Sequence, residues 1–102
     1  NYIDVYYSRG KLNAELAIEE YSKAIELKPD YHEAYYNRAS VKSLMENYWD
    51  AIEDYNKAIA LKPDYSEAYR KRGDAKYKLG GHISAINDYT KSKQNIFKNI
   101  EN

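Results

Sequence analysis

The sequence predicts an all-α protein in which helical pairs stack one after another as an α-solenoid. The main observation is a repeat of 34 residues, in which Ala17, Ala51 and Ala85 begin closely similar segments. A fixed period of this length is typical of solenoids, in which each unit buries its apolar face only against its neighbours. The composition agrees, because 43% hydrophobic and 31% charged residues suit a single folded helical domain of 102 residues.

Charge and composition exclude several classes of function. Sixteen Lys and Arg residues balance sixteen Asp and Glu residues, so no bulk field attracts the chain to nucleic acid or to anionic lipid. No apolar run approaches the roughly 20 residues that span a bilayer, and the absence of cysteine excludes disulfides and thiolate zinc sites. The start at Asn1 has no signal-peptide pattern. We expect a cytoplasmic location, and a trimmed chain or a fragment of a longer one.

In the second unit, apolar residues spaced three to four apart predict two helices. The first runs from about Tyr31 to Met45, with Asp30 as a candidate N-cap. A turn at 46–48 leads to a second helix that begins near Trp49. Pro63 ends it, because proline lacks the backbone N–H and restricts the residue before it. The expected buried side chains of this second helix are Ile52, Tyr55, Ile59 and Leu61, with small Ala51 and Ala58 where helices approach closely.

The third unit follows the same order, with a turn at Gly80-Gly81 and a second helix from about Ile83. No proline ends this helix, and an apolar stripe continues towards the end of the chain. The stripe predicts an extended helix that closes the last open face, as solenoids require. Its members are Ile86, Tyr89, Ile96 and Ile100, and Phe97 is expected in the same contact.

The first unit is five residues short. Tyr6 precedes Tyr35 by 29 residues, whereas Tyr21 precedes Tyr55 by 34. The missing residues fall just before Ala17, where the first helix of the unit is expected to end and turn. Either that helix is truncated or a mobile loop has been left out, and the well-kept pattern on both sides favours the omitted loop. The units are assigned as about 1–31, 32–65 and, with the closing helix, 66–102.

These residues resemble the tetratricopeptide repeat family from Tyr6 to the end of the chain. The family pattern has a bulky aromatic residue early in helix A, small residues at helix contacts, an aromatic residue in helix B and a closing proline. The matching residues are Ala17, Tyr21, Ala24 and Pro29, then Tyr35, Ala39, Ala51, Tyr55, Ala58 and Pro63, then Tyr69, Gly73, Ala85 and Tyr89. The third unit departs from the pattern with Ser92 in place of an alanine and with no proline. The resemblance implies about three antiparallel helix pairs in a right-handed superhelix.

The resemblance also implies that helix A of each pair lines a concave groove, which in this family commonly holds an extended peptide or a partner helix. Binding residues are expected on helix A, on the side that points away from the core. They are Tyr7 and Lys11 in the first unit, Tyr36, Asn37, Ser40 and Leu44 in the second, and Glu67, Arg70, Lys71, Asp74, Tyr77 and Lys78 in the third. The aromatic and cationic side chains among them are expected to carry most of the binding energy.

One subclass of the family binds chaperone tails that end in Glu-Glu-Val-Asp, and uses Asn, Lys and Arg donors for the terminal carboxylates. Asn37 matches the asparagine of that clamp, and Lys71 stands in the place of its arginine. Glu67 replaces a lysine and reverses its charge, while Tyr7 and Lys11 replace a lysine and an asparagine. The clamp is therefore incomplete, and Asn37 also has the simpler interpretation of a side chain that bonds only water or local backbone.

The sequence contains no group of residues typical of an enzyme. His32 and His82 lie far apart in the repeat pattern, and both are expected on the solvated surface. The acidic residues Glu53, Asp54 and Asp88 recur with the repeat, and we expect them to face solvent and to pair with lysines about four residues further on. Because no nucleophile, base or paired carboxylates converge, we expect no catalysis, no cofactor and no metal.

Three functions remain after these exclusions. The first is a protein–protein interaction scaffold that binds a peptide or partner segment in the groove, with acidic segments among the candidates. The second is a self-association element or a slice of a longer array of repeats, in which the exposed face of the first unit pairs with another copy. The third is a nucleic-acid adaptor that uses the basic run at 70–78, but Glu67 and Asp74 dilute that run. We favour the scaffold, and expect neither nucleic acid nor a membrane as partner.

Overall fold

The computed structural model describes the backbone of residues 2–101, and the side chains of this range except at positions 3, 4, 6, 7, 10, 11 and 101. Over these residues the chain forms five α-helices and no strand. They are α1 Tyr2–Leu27, α2 His32–Leu44, α3 Tyr48–Leu61, α4 Ser66–Lys78 and α5 His82–Glu101. Each helix packs against the next one in the chain, and α2 also contacts α4. This order of contacts is that of an α-solenoid and confirms the predicted fold class.

The shape follows from these contacts between neighbours. The radius of gyration is 15.1 Å and the extents are 51 × 34 × 23 Å, whereas a compact domain of 100 residues has a radius of gyration of about 13 Å. The molecule is elongated because each helix lies beside the next one instead of wrapping around a common centre.

Small residues let the helices approach closely in the core. Ala39, Ala51, Ala58 and Ala68 have no exposed surface, and they surround the buried ring of Tyr55. A methyl group at each of these contacts leaves room for the facing helix, whereas a larger side chain would force the backbones apart. The predicted close contacts at Ala51 and Ala58 are confirmed.

The first unit does not form the expected helical pair. α1 continues without a break from Tyr2 to Leu27. The stretch between Gly10 and Ala17 contains no proline, and one glycine inside a helix costs only about 1 kcal/mol relative to alanine. With five residues fewer than the other units, a helical pair here would have a shorter first helix and less contact to offset the turn, so the backbone continues as a helix. The expectation of a pair in the first unit is wrong for this chain, which has one long helix followed by two complete pairs.

Two expectations at the ends of elements are also wrong. α2 begins after Tyr31, whose side chain makes no capping hydrogen bond, so Asp30 is not the N-cap. Leu61 is 40% exposed because it is the last residue of α3 and lies beyond the contact with its neighbours. The other predicted boundaries agree with the structure to within one residue.

The extended closing helix is confirmed as α5, but its buried face differs from the predicted one. Ile86, Ile96, Phe97 and Ile100 are all exposed, Phe97 by 63%. The buried residues of α5 are Ala85, Asp88, Ser92 and Asn95. They recur every three or four residues and therefore form one side of the helix. The contact with α4 is made by these small and polar side chains and by the Tyr89 ring, and the large aliphatic side chains lie outside it.

Candidate functional site

Buried ion pairs fix each helical pair. The Arg38 guanidinium of α2 donates two hydrogen bonds to the Asp54 carboxylate of α3, from Nε and Nη2, each 2.7 Å long. The Lys42 Nζ lies 3.0 Å from the same carboxylate. Asp54 is only 5% exposed, as is Asp88, so the expectation that these carboxylates face solvent is wrong. The equivalent network between α4 and α5 consists of Arg72, Lys76 and Asp88.

Each of these arginines also reaches the preceding helix. Arg38 Nη1 donates to Ser22 Oγ of α1 at 3.1 Å, and Arg72 Nη1 donates to Asn56 Oδ1 of α3 at 2.8 Å. The hydrogen bond to Asp54 raises the pKa of Arg38, so this guanidinium stays charged at any ordinary pH. Because the arginines fix α2 and α4 against both neighbours, they set which side of each helix is left for a ligand.

Three tyrosines pack together where α2, α3 and the start of α4 meet. The Tyr36 ring lies 5.9 Å from the Tyr55 ring and 5.1 Å from the Tyr65 ring, centroid to centroid. The Tyr55 and Ser40 hydroxyl oxygens are 3.2 Å apart. Burial, and secondly the charge of Glu67, raise the pKa of Tyr36. The structure therefore brings together three of the predicted site residues, Tyr36 and Ser40 of α2 and Glu67 of α4.

The Asp74 carboxylate on α4 is bound by the chain itself. The Tyr89 hydroxyl of α5 donates to Asp74 Oδ1 at 2.6 Å. Burial, followed by this hydrogen bond, raises the pKa of Tyr89 to about 12. The Tyr77 ring stacks on His82 at 4.5 Å, and so the predicted site residue Tyr77 lies at the turn between α4 and α5. One Asp74 oxygen therefore already has a hydrogen-bond partner within the chain.

An open cavity of about 280 Å³ lies between α2, α3 and α4, and we call it the α2–α4 groove. Five predicted site residues line it, namely Ser40, Leu44, Lys71, Asp74 and Lys78. The Tyr55 ring and the Ser43 side chain lie in its lining as well. The Ser43 hydroxyl is buried and has no hydrogen-bond partner among the described residues. Sequence analysis missed Ser43, because it carries no repeat signal.

The other predicted residues lie in different places. Glu67 and Arg70 line a second open cavity, of about 420 Å³, between α4 and α5, together with Ile96 and Ile100. Asn37 lines a cavity of about 240 Å³ beside Tyr21 and Ala24 of α1. Asn37 and Lys71, the two residues that resemble a carboxylate clamp, therefore line different cavities. The side chains of Tyr7 and Lys11 lie outside the part of the chain whose side chains the structure describes.

The described residues offer little for other kinds of site. They contain no group of three His, Asp or Glu side chains that could hold a metal ion. None of the helices they form is long and apolar enough to cross a membrane. His32 packs edge-on against Tyr65, with ring centroids 5.4 Å apart, so it is a half-buried packing residue and not the solvated one expected. His82 is exposed, as expected.

Comparisons with known proteins agree with this geometry. A family model described as TPR repeat matches residues 4–43 and 44–80. A crystal structure of MamA superposes with a TM-score of 0.86 at 30% identity, over 88% of this chain and 53% of the MamA chain. The first TPR of Spaghetti (RPAP3), bound to the HSP90 peptide SRMEEVD, superposes with a TM-score of 0.80 at 30% identity, over 90% of this chain and 71% of that one.

A further structure, of MamA MSR-1, has a TM-score of 0.81 at 18% identity, which shows the shared fold alone. The chain spans about half the length of the MamA chains that it matches. The search of curated proteins finds no match. The family model covers both the long first helix and the first complete pair, and the solved structures share the stacked helices. The chain belongs to the tetratricopeptide repeat family.

Proposed function

We propose that this chain is a protein-interaction scaffold, without catalytic activity, that binds an extended peptide in the α2–α4 groove. The observation that carries the proposal is the convergence of Ser40 and Leu44 from α2 with Lys71, Asp74 and Lys78 from α4 around one open cavity. Leu44 is 84% exposed, so it offers an apolar contact that the fold itself does not use. A cavity with an exposed apolar side chain and a few polar groups suits a peptide segment.

The charges of the groove favour an acidic segment. Lys71 and Lys78 line it, and the single carboxylate between them, that of Asp74, already accepts a hydrogen bond from Tyr89. The Ser43 hydroxyl provides a further polar atom that has no partner within the described chain. The similarity to an RPAP3 repeat domain bound to the HSP90 peptide SRMEEVD supports a peptide as ligand. Glu67 lies outside this groove, in the cavity between α4 and α5.

An array of acidic peptides tests the proposal. It contains SRMEEVD with a free C-terminus, the same peptide with an amidated C-terminus, and acidic internal segments of similar length. We expect binding to acidic peptides, and a loss of affinity of at least about tenfold in the Lys71→Ala/Lys78→Ala variant, because two cations of the groove are removed. The matched control is Lys57→Ala/Lys91→Ala, which removes two exposed lysines from α3 and α5.

The results distinguish a carboxylate clamp from a groove that binds internal acidic segments. Loss of binding on amidation, together with loss of binding in Asn37→Ala, would identify a carboxylate clamp, although Asn37 and Lys71 line different cavities. Equal affinity for the free and the amidated peptide would identify a groove that binds internal acidic segments. Binding that falls equally in the lysine variant and in its control, or that is absent for every peptide, contradicts the proposed function.

A second candidate function is self-association, and one observation favours it. α1 is a single helix with exposed apolar side chains at Val5, Leu12 and Leu16, in the unit that lacks a helix A packed on its own helix B.

A further inference from the structure

The first half of α1 carries the residues of a helix A but does not occupy the position of one. Tyr6, Arg9 and Gly10 have the same identities and spacing as Tyr69, Arg72 and Gly73 of α4. In α4 this pattern packs against the following helix, which runs antiparallel to it. In the first unit no such packing within the chain is possible, because α1 is continuous from residue 2 to residue 27.

The third unit shows what this pattern does when it is packed. Arg72 donates to the Asp88 carboxylate at 2.9 and 2.7 Å. Gly73 leaves room for the Tyr89 ring, since a Cβ at this position would lie 2.8 Å from Tyr89 Cε1. The period of the repeat places Glu20 where Asp88 stands and Tyr21 where Tyr89 stands. The second half of α1 is therefore a helix B with both acceptor residues in place.

Within one chain these groups cannot meet. Arg9 and Glu20 are 11 residues apart on one straight helix, which is about 16 Å along its axis. Both are exposed, whereas the equivalent Arg72 and Asp88 are largely buried against each other.

The helix-B face of α1 also remains partly uncovered. Ala17 and Tyr21 are only half-buried, whereas their equivalents in the second unit, Ala51 and Tyr55, are buried at 0% and 1% exposure. The difference corresponds to the surface that a helix A covers in the complete pairs. A helix with the sequence pattern of Tyr6, Arg9 and Gly10 would fill it, and the first half of α1 carries that pattern with Arg9 exposed.

We propose that two copies of the chain pair through α1 in antiparallel orientation, so that the first half of each α1 serves as helix A on the second half of its partner. Arg9 then binds the partner subunit's Glu20, and the two-fold axis repeats the pair at the other end. The midpoint between Arg9 and Glu20 lies at residues 14–15, so Leu12 of each copy lies opposite the partner subunit's Ala17, one residue from the partner subunit's Leu16. The exposed leucines of α1 become the centre of the interface, and each copy completes the first unit of the other.

Charge reversal tests the pairing. Sedimentation and light scattering of the wild-type chain should show a particle of twice the 12.0 kDa chain mass, which dissociates on dilution. Arg9→Glu and Glu20→Arg should each weaken the dimer at least about tenfold, because both pairs become like-charged. An equimolar mixture of the two variants should regain the wild-type affinity, since each pair then joins opposite charges. The controls Lys57→Glu and Glu53→Arg, at exposed positions of α3, should change nothing alone or mixed.

A second variant restores the length of the first unit. Replacement of residues 11–16 with a copy of residues 74–84 adds the five missing residues and a Gly-Gly turn. We expect this chain to fold its own helix A back and to become a monomer of unchanged helical content by circular dichroism. A wild-type chain that is monomeric at every concentration overturns the proposal. So does a dimer that survives both the charge reversals and the insertion. The pairing uses α1 and leaves the α2–α4 groove open, so either result can be told apart from failure of peptide binding.

Discussion

The carboxylates of Asp54 and Asp88 set the structure of this protein at the scale of single residues. A buried carboxylate is costly unless cations and hydrogen bonds compensate it. Here each one accepts a two-pronged hydrogen bond from an arginine and lies within 3.1 Å of a lysine. Removal of one carboxylate would leave two cations at a largely buried site without a counter-charge.

Asp54→Ala is therefore expected to lower the free energy of unfolding by about 3 kcal/mol or more, because Arg38 and Lys42 lose their shared partner. The neighbouring Glu53 is exposed, and Glu53→Ala should change the free energy by no more than about 0.5 kcal/mol. Urea denaturation of the two variants measures both values. Equal losses in the two variants would show that the buried ion pair does not stabilise the fold.

Alkaline pH should destabilise the fold most strongly through two tyrosines. Burial raises the pKa of Tyr65 to about 12, and burial and the hydrogen bond to Asp74 raise that of Tyr89 to about 12, from an ordinary value of 10.0. Since the folded values lie above the unfolded ones, their stabilising contribution is complete below pH 10 and is lost as the pH rises from 10 to 12.

Denaturation at a series of pH values checks this expectation. The free energy of unfolding should fall above pH 10, and the fall should be smaller in Tyr89→Phe, which removes one of the two groups. Tyr2→Phe, which removes an exposed tyrosine, is the control. A wild-type free energy that is constant between pH 10 and 12 would contradict the expectation.

Sequence reasoning identified the buried alanines and tyrosines but misjudged the acidic residues. Glu53 and Asp54 are adjacent acids on an amphipathic helix, and nothing in their chemistry separates the exposed one from the buried one. The signal was a distance: Asp54 follows Arg38 by 16 residues, and Asp88 follows Arg72 by 16. In both units the arginine and the carboxylate are 16 residues apart and lie on opposite sides of the turn between the two helices. This spacing places them to pair and predicts the network.

At the scale of elements, the boundaries of the two complete pairs followed from proline, glycine and helical periodicity, but α1 did not. The repeat pattern predicts two helices in the first unit, because it records which residues match and not whether the chain between them is long enough to turn. The structure has one helix from Tyr2 to Leu27. The shorter chain in this stretch determines that α1 is one helix. The matching repeat residues on both sides of the stretch gave no indication of this.

The continuity of α1 is measurable by spin labelling. The chain has no cysteine, so Ser8→Cys and Lys23→Cys introduce two unique sites at exposed positions of α1. One continuous helix separates them by 15 residues, or about 22 Å along its axis. A folded helical pair would bring them to about 10 Å, the distance between packed helices. Labelled protein diluted with an excess of unlabelled protein reports the distance within one chain, and the shorter distance would contradict the single helix.

At the scale of the whole molecule, stacking of neighbours leaves surfaces that a compact domain would bury. The α2–α4 groove is one of them, and the exposed apolar residues of α5 form another. The fold class was predictable because the repeat requires it. The composition of the groove was predictable only in part: the resemblance to the family implied that Ser40, Leu44, Lys71, Asp74 and Lys78 lie on it. The position of Ser43 in the lining of the groove, and the separation of Asn37 from Lys71, depend on how the helices pack.

We propose that peptides bind in the α2–α4 groove, and chemical-shift mapping of the backbone amides by nuclear magnetic resonance locates the binding surface residue by residue. The labelled chain is titrated with the acidic peptide of the array that binds best, beginning with SRMEEVD. We predict that the perturbed amides cluster on α2 and α4, around Ser40, Leu44 and Lys71, and that the shifts vanish in Lys71→Ala/Lys78→Ala. Perturbations confined to α1 or to α5, with α2 and α4 unchanged, would contradict this proposal.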